Sequence, residues 1–72
     1  MKYSAIENRF GHIQIIKKNE TILYLQYEFD ILGFYDSLNN NETDMISNGF
    51  EIDITDNQII TDYIDAEVIK IK

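Results

Sequence analysis

The sequence predicts a mainly β protein: a small curled antiparallel sheet or open barrel of about five strands, with at most one short helix near residues 30–39. Three observations carry this reading. Apolar and polar residues alternate over residues 23–31, with Leu23, Leu25, Tyr27, Phe29 and Ile31 on one side and Tyr24, Gln26, Glu28 and Asp30 on the other. The apolar segments are rich in isoleucine and tyrosine, residues that suit a pleated, half-buried surface. Short Asn, Asp and Gly clusters separate them at turn-like intervals.

Taken in order, residues 3–6 form a short strand and Asn8, Arg9, Phe10 and Gly11 a turn. Residues 13–16 and 21–27 are strand-like runs, and the polar link from Lys17 to Glu20 joins them as a hairpin. Residues 27–38 admit a second reading. Tyr27, Ile31, Phe34 or Tyr35, and Leu38 also share one helical stripe, with Asp30 as an N-cap. A helix there would lie across the sheet and give an α+β arrangement. Residues 39–44 are the clearest loop, because Asn and Asp side chains bond nearby backbone groups. Asn48 and Gly49 turn the chain into residues 50–55, where Phe50, Ile52 and Ile54 point inward and Glu51, Asp53 and Thr55 outward. Asp56 and Asn57 form a tight turn. Residues 58–72 read as one long strand, or two joined by a bulge: Ile60, Ile64, Ala66 and Val68 share one parity, and Ile59, Ile69 and Ile71 the other. The expected core is Ile13, Ile15, Leu23, Leu25, Tyr27, Phe29, Phe50, Ile52, Ile54, Ile64 and Val68.

Seventy-two residues amount to one domain, residues 1–72. A chain of this length buries only about 60% of its unfolded surface, so the core is small and dimerisation is one source of extra burial. The absence of cysteine removes disulfides and thiolate metal sites and suits a reducing compartment. No run of 18 or more apolar residues is present, and no apolar stretch follows Lys2, so neither a membrane span nor a secretory signal is expected and the location reads as cytoplasmic. Isoleucine, asparagine, lysine, tyrosine and phenylalanine make up nearly half the chain and arginine occurs once. Those residues have AT-rich codons, which points to a low-GC bacterium or to a phage or plasmid living in one.

Charge is the most informative feature. Between Lys18 and Lys70 there is no lysine or arginine, yet there are twelve carboxylates: Glu20, Glu28, Asp30, Asp36, Glu42, Asp44, Glu51, Asp53, Asp56, Asp62, Asp65 and Glu67. The bases lie outside that window, at Lys2, Arg9, Lys17, Lys18, Lys70 and Lys72. Soluble domains normally intersperse the two signs. A net charge of -7 argues against direct nucleic-acid binding, which needs a basic stripe, and against adsorption to anionic membranes. It favours rapid, salt-sensitive attraction to a basic partner.

Other chemistries find little support. His12 is the only histidine, and no nucleophile or second ligand accompanies it in a recognisable pattern. The three serines, Ser4, Ser37 and Ser47, stand in no nucleophile-elbow context. Paired carboxylates could do acid–base work across a cleft, but a chain of this length scarcely supplies both core and cleft. Asn40, Glu42, Asp44 and Glu51 have some of the spacing of a calcium loop, yet Met45 takes the place of its glycine and no Asp opens it. Asn41, Glu42 and Thr43 match a glycosylation sequon without the secretory context that would use it. No catalytic residue, metal ligand or cofactor is therefore expected.

The expected partner-binding residues are the carboxylate pairs Glu28/Asp30, Glu51/Asp53 and Asp65/Glu67, together with Asp56 and Asp62. On strands, residues i and i+2 face the same way, about 6.8 Å apart, and adjacent strands add rows about 4.8 Å away. Tyr24 and Tyr63 lie on the acidic parity, and tyrosine anchors protein contacts at low entropic cost. In type, this short, acidic, cysteine-free chain resembles phage-encoded inhibitors of host defence such as anti-CRISPR proteins, anti-restriction DNA mimics and immunity proteins against nucleases. The resemblance implies a non-enzymatic inhibitor that covers the basic, nucleic-acid-binding surface of a defence protein or nuclease. A structural module that oligomerises through strand edges is the alternative.

Overall fold

A computed structural model describes residues 3–71, with side chains as far as residue 68. The bases Lys2, Lys70 and Lys72, and the parity assigned to Ile69 and Ile71, lie outside the described side chains. The elements run β1 (Tyr3–Glu7), β2 (Ile13–Lys17), β3 (Glu20–Leu25), α1 (Glu28–Asp36), α2 (Asn40–Ser47), β4 (Ile52–Asp53) and α3 (Gln58–Ile71). The four strands form an antiparallel sheet in the order β3-β2-β1-β4. The fold is α+β. It contains three helices, which overturns the expectation of a mainly β barrel with at most one.

The first half follows the sequence pattern. Asn8 closes the β1–β2 turn, its side-chain oxygen accepting from the amides of Phe10 (2.9 Å) and His12 (3.1 Å), while Gly11 takes the left-handed conformation at φ +80. The next hairpin turns on Lys18 and Asn19, both left-handed at φ 53 and 63, so Lys17 pairs directly with Glu20. Two successive positive φ values match the twist of antiparallel strands, at a steric cost for the lysine. A register shift between Ile15 and Ile16 bulges β3, pairing Ile16 with Thr21.

The second half departs from it. β3 stops at Leu25, and α1 starts behind Tyr27, which supplies no side-chain cap. Asp30, expected as the N-cap, lies inside the helix. Residues 39–44, expected as a loop, open α2 instead. The Asn39 side chain accepts from the Glu42 amide (2.8 Å), and Glu42 accepts from the Asn39 amide (3.0 Å), completing a capping box. The same helix ends in a Schellman motif: the Phe50 amide donates to Met45 (3.0 Å), the Gly49 amide to Ile46 (3.0 Å), and Gly49 sits at φ +87. Residues 58–71 form a helix rather than strands joined by a bulge. Ile60, Ile64 and Val68 recur every four residues, a spacing that fits the helical period as well as strand parity.

The helices cover one face of the sheet, α2 over β1 and β4, and α3 over β3. Ala5, Ile13, Ile15, Leu25, Ile52 and Ile54 of the sheet side meet Phe34, Ile46, Ile60 and Ile64 of the helices. Leu23 and Val68 pack at its margin. Tyr27, Phe29 and Phe50, expected inside, are 70%, 88% and 61% exposed. Alternation assigned Tyr27 and Phe29 inward, but the chain had already left the sheet. Among the described residues no helix is long and apolar enough to cross a membrane.

Two asparagines secure the helical layer. Asn57 caps α3 by accepting from the Ile60 amide (3.1 Å), and its Nδ2 donates to the Ser37 carbonyl (3.2 Å) and hydroxyl (3.1 Å) at the end of α1. Asn39→Ala should cost about 1 kcal/mol through loss of a cap. Asn57→Ala should cost about 2 kcal/mol, because bonds to a second helix go with the cap. Urea unfolding of both variants checks the ranking, and equal losses would mean that the Asn57–Ser37 bonds contribute nothing.

Candidate partner-binding surface

The expected carboxylate ladder requires strands, and two of its three pairs lie on helices. Glu28 and Asp30 are in the first turn of α1, and Asp65 and Glu67 are in α3. Residues two apart on a helix are separated by about 200° around its axis, so neither pair points one way. Only Glu51 and Asp53 keep the expected parity, both exposed at the β4 edge. Ser4 donates to Glu51 (2.7 Å) and the Thr55 amide to Asp53 (2.8 Å). Both carboxylates border a shallow depression on the open sheet face that also includes Lys18. Tyr24 is 51% exposed on β3, the opposite edge, three strand spacings or about 14 Å away. These residues form no single lattice.

The helical layer organises the charge differently. Glu28, Asp30 and Asp36 of α1, Glu42 and Asp44 of α2, and Asp62, Asp65 and Glu67 of α3 share it with no lysine or arginine before Lys70. Asp56 is exposed in the turn entering α3. The described bases are elsewhere: Arg9 sits over the Phe10 ring at the β1–β2 turn, Lys17 sits over the Tyr3 ring at the end of β2, and Lys18 occupies the next turn.

Tyrosine hydroxyls take the place of basic partners. Tyr3 donates to Asp65 (2.8 Å), joining β1 to α3. Tyr35 donates to Glu7, joining α1 to β1. Tyr63 of α3 and Asp30 of α1 line the same groove, and Asp30 helps hold the Tyr63 hydroxyl above its ordinary value. Each donated bond orders a carboxylate without neutralising it, so the acidic field is kept. Gln58 likewise donates to Asp62 (2.6 Å) one helical turn away.

Of the expected residues, Asp30 and Tyr63 are brought together most directly, and they border a groove between α1 and α3. Its volume is about 160 Å³. Leu25, Phe34 and Ile60 form a buried floor, while Phe29 and Ile59, 88% and 73% exposed, stand at its lips. Gly33 completes the α1 wall. Phe29, Gly33 and Ile59 were not among the expected site residues. The signal for them is that α1 holds Phe29, Ile31, Leu32, Phe34 and Tyr35 within nine residues, more apolar surface than one helix face can bury.

His12 is half-buried at the start of β2, its ring 6.4 Å from that of Phe10. Asn40, Glu42 and Asp44 are on α2, and Glu42 is engaged in the capping box. Among the described residues no three acidic, histidine or cysteine side chains converge to hold a metal ion.

Comparison with known proteins finds no matching family profile, no similar curated protein and no similar solved structure.

Burial of tyrosine hydroxyls beside carboxylates makes stability sensitive to alkali. Burial, then the bond to Glu7, pushes the Tyr35 hydroxyl up to about 12, and burial, then Asp30, does the same for Tyr63. The bond to Asp65, then burial, raises Tyr3. A pKa raised on folding stabilises the chain fully below the ordinary value of 10.0, and the contribution disappears as pH rises toward about 12. The melting temperature should therefore fall between pH 10 and 12, with a smaller fall in Tyr35→Phe and Tyr63→Phe. Melting curves and tyrosinate absorbance test this, and an identical alkaline loss in both variants would assign it to other groups.

Proposed function

We propose that this chain is a non-enzymatic inhibitor that binds the basic, nucleic-acid-binding surface of a partner protein, in the manner of an anti-defence protein or a nuclease-immunity protein. The observation that carries this reading is the helical layer: three helices with eight carboxylates and no interspersed base before Lys70. Such a surface attracts an Arg- or Lys-rich face over a Debye length, about 8 Å at physiological ionic strength, and competes there with phosphates. Glu28, Asp30, Asp62, Asp65 and Glu67 supply charge on the α1/α3 side, with Tyr63 as a contact residue. Glu51, Asp53, Asp56 and Tyr24 lie at other edges and act as steering charge and secondary contact.

The six-residue β3 is an edge strand without proline, which favours strand-edge self-assembly as a second reading. Light scattering separates the two: the inhibitor reading allows a monomer, and edge assembly requires concentration-dependent association.

The inhibitor reading is tested with immobilised chain, a low-GC bacterial lysate at low salt, and elution by rising salt. The eluted partner should be basic, and double-stranded DNA or RNA should displace it from the chain. Asp62→Lys should weaken its binding more than Glu20→Lys, through a slower association rate. A partner that binds equally at low and physiological salt, ignores Asp62→Lys and holds nucleic acid at the same time would overturn the proposal.

A further inference from the structure

The groove between α1 and α3 is apolar where its surroundings are acidic, and that combination specifies an occupant. Resting on the inhibitor reading, we infer that the groove is the anchor site of the complex: it receives one aromatic or long aliphatic side chain of the partner protein, presented between lysines or arginines.

Size sets the first limit. A volume of about 160 Å³ is close to the roughly 150 Å³ of an apolar cavity that takes up benzene, so the groove suits a single ring or a leucine-sized group. Its buried floor of Leu25, Phe34 and Ile60 supplies apolar contacts, and the exposed Phe29 and Ile59 gain burial when the groove fills.

Gly33 is the second observation. It lies inside α1, where glycine costs about 1 kcal/mol relative to alanine. Nothing local requires it. Its φ is not positive, and an added Cβ would meet no atom within 4 Å. Gly33 lines the groove, and a side chain there would occupy open space. The glycine therefore weakens the helix while keeping the groove accessible.

Charge fixes the class of occupant. Asp30 lines the groove beside Tyr63, Asp62 follows Ile59 by one turn along α3, and Glu67 lies one turn beyond Tyr63 on the same helix. A second copy of this chain would set these carboxylates against their own kind. An anionic membrane would meet the same repulsion. A basic protein segment completes both features at once, with apolar anchor inside and cations at the rim, the arrangement in which hot-spot residues bind.

The test uses the full chain, labelled for two-dimensional NMR at low salt, and three capped peptides. One carries a central phenylalanine flanked by lysines, one replaces that phenylalanine with alanine, and one flanks phenylalanine with glutamates. The lysine-flanked phenylalanine peptide should shift the amides of Gly33, Ile59 and Tyr63. The alanine peptide should bind about tenfold more weakly, and the glutamate-flanked peptide should not bind. Gly33→Leu should fill the groove and reduce the phenylalanine peptide to the alanine level, with a melting temperature equal to or above that of the parent chain. Phe29→Ala should weaken the same peptide without loss of melting temperature, because its side chain is exposed. Equal affinity for both lysine-flanked peptides, unchanged by Gly33→Leu, would overturn the anchor site while leaving the basic-partner reading standing. Equal affinity for the lysine- and glutamate-flanked phenylalanine peptides, or no binding of either lysine-flanked peptide, would overturn both.

Discussion

One carboxamide joins two of the three helices that cover the sheet. Asn57 accepts from the Ile60 amide with Oδ1 and donates to Ser37 with Nδ2, so the end of α1 and the start of α3 are held together across twenty residues of sequence. Helices of nine, eight and fourteen residues are marginal in isolation. Their termini carry amides and carbonyls that need partners, and Asn57 satisfies groups of two helices at once. The same joint ties together the two helices that flank the groove.

Around that joint, a small core is combined with a one-signed surface. The sheet buries one face only, and isoleucine supplies most of the fully enclosed volume. A net charge of -7 opposes compaction through self-repulsion. Lysine or arginine would relieve it by neutralising carboxylates. This chain uses tyrosines instead: Tyr3 and Tyr35 each tie a carboxylate to another element, and Tyr63 stands beside Asp30 in the α1/α3 groove. A neutral donor orders the acid and leaves its charge in place, which suits a surface whose use is attraction at a distance. The accompanying sensitivity to alkali follows from the burial of Tyr35 and Tyr63 together with their acidic neighbours.

Steering and anchoring are then separate properties of one surface. Carboxylates spread over three helices set the rate and salt dependence of encounter, and an apolar groove of single-side-chain size sets how long a partner stays. Gly33 connects the two levels, since a residue unfavourable to its own helix keeps the groove open.

Local signals in the chain suffice for the β1–β2–β3 meander, the Asn8–Gly11 turn, the acidic window and six of the buried residues: Ile13, Ile15, Leu25, Ile52, Ile54 and Ile64. Hairpins form from contacts close in the chain, so alternation and turn residues suffice to read them. Residues 39–44 read as a loop because Asn and Asp suit turns, and the same residues cap a helix once Asn39 and Glu42 exchange bonds. The helical state of residues 28–36 and 58–71 comes from long-range packing. Ile60, Ile64 and Val68 satisfy both periods, and isoleucine favours strand, so local preference pointed the wrong way until packing over β3 and the Asn57 cap outweighed it. That outcome turned Phe29 outward, separated Glu28 from Asp30 and Asp65 from Glu67, and brought Asp30 to Tyr63. Residues far apart in sequence meet only after the chain has folded, and no local pattern encodes which helix faces will adjoin.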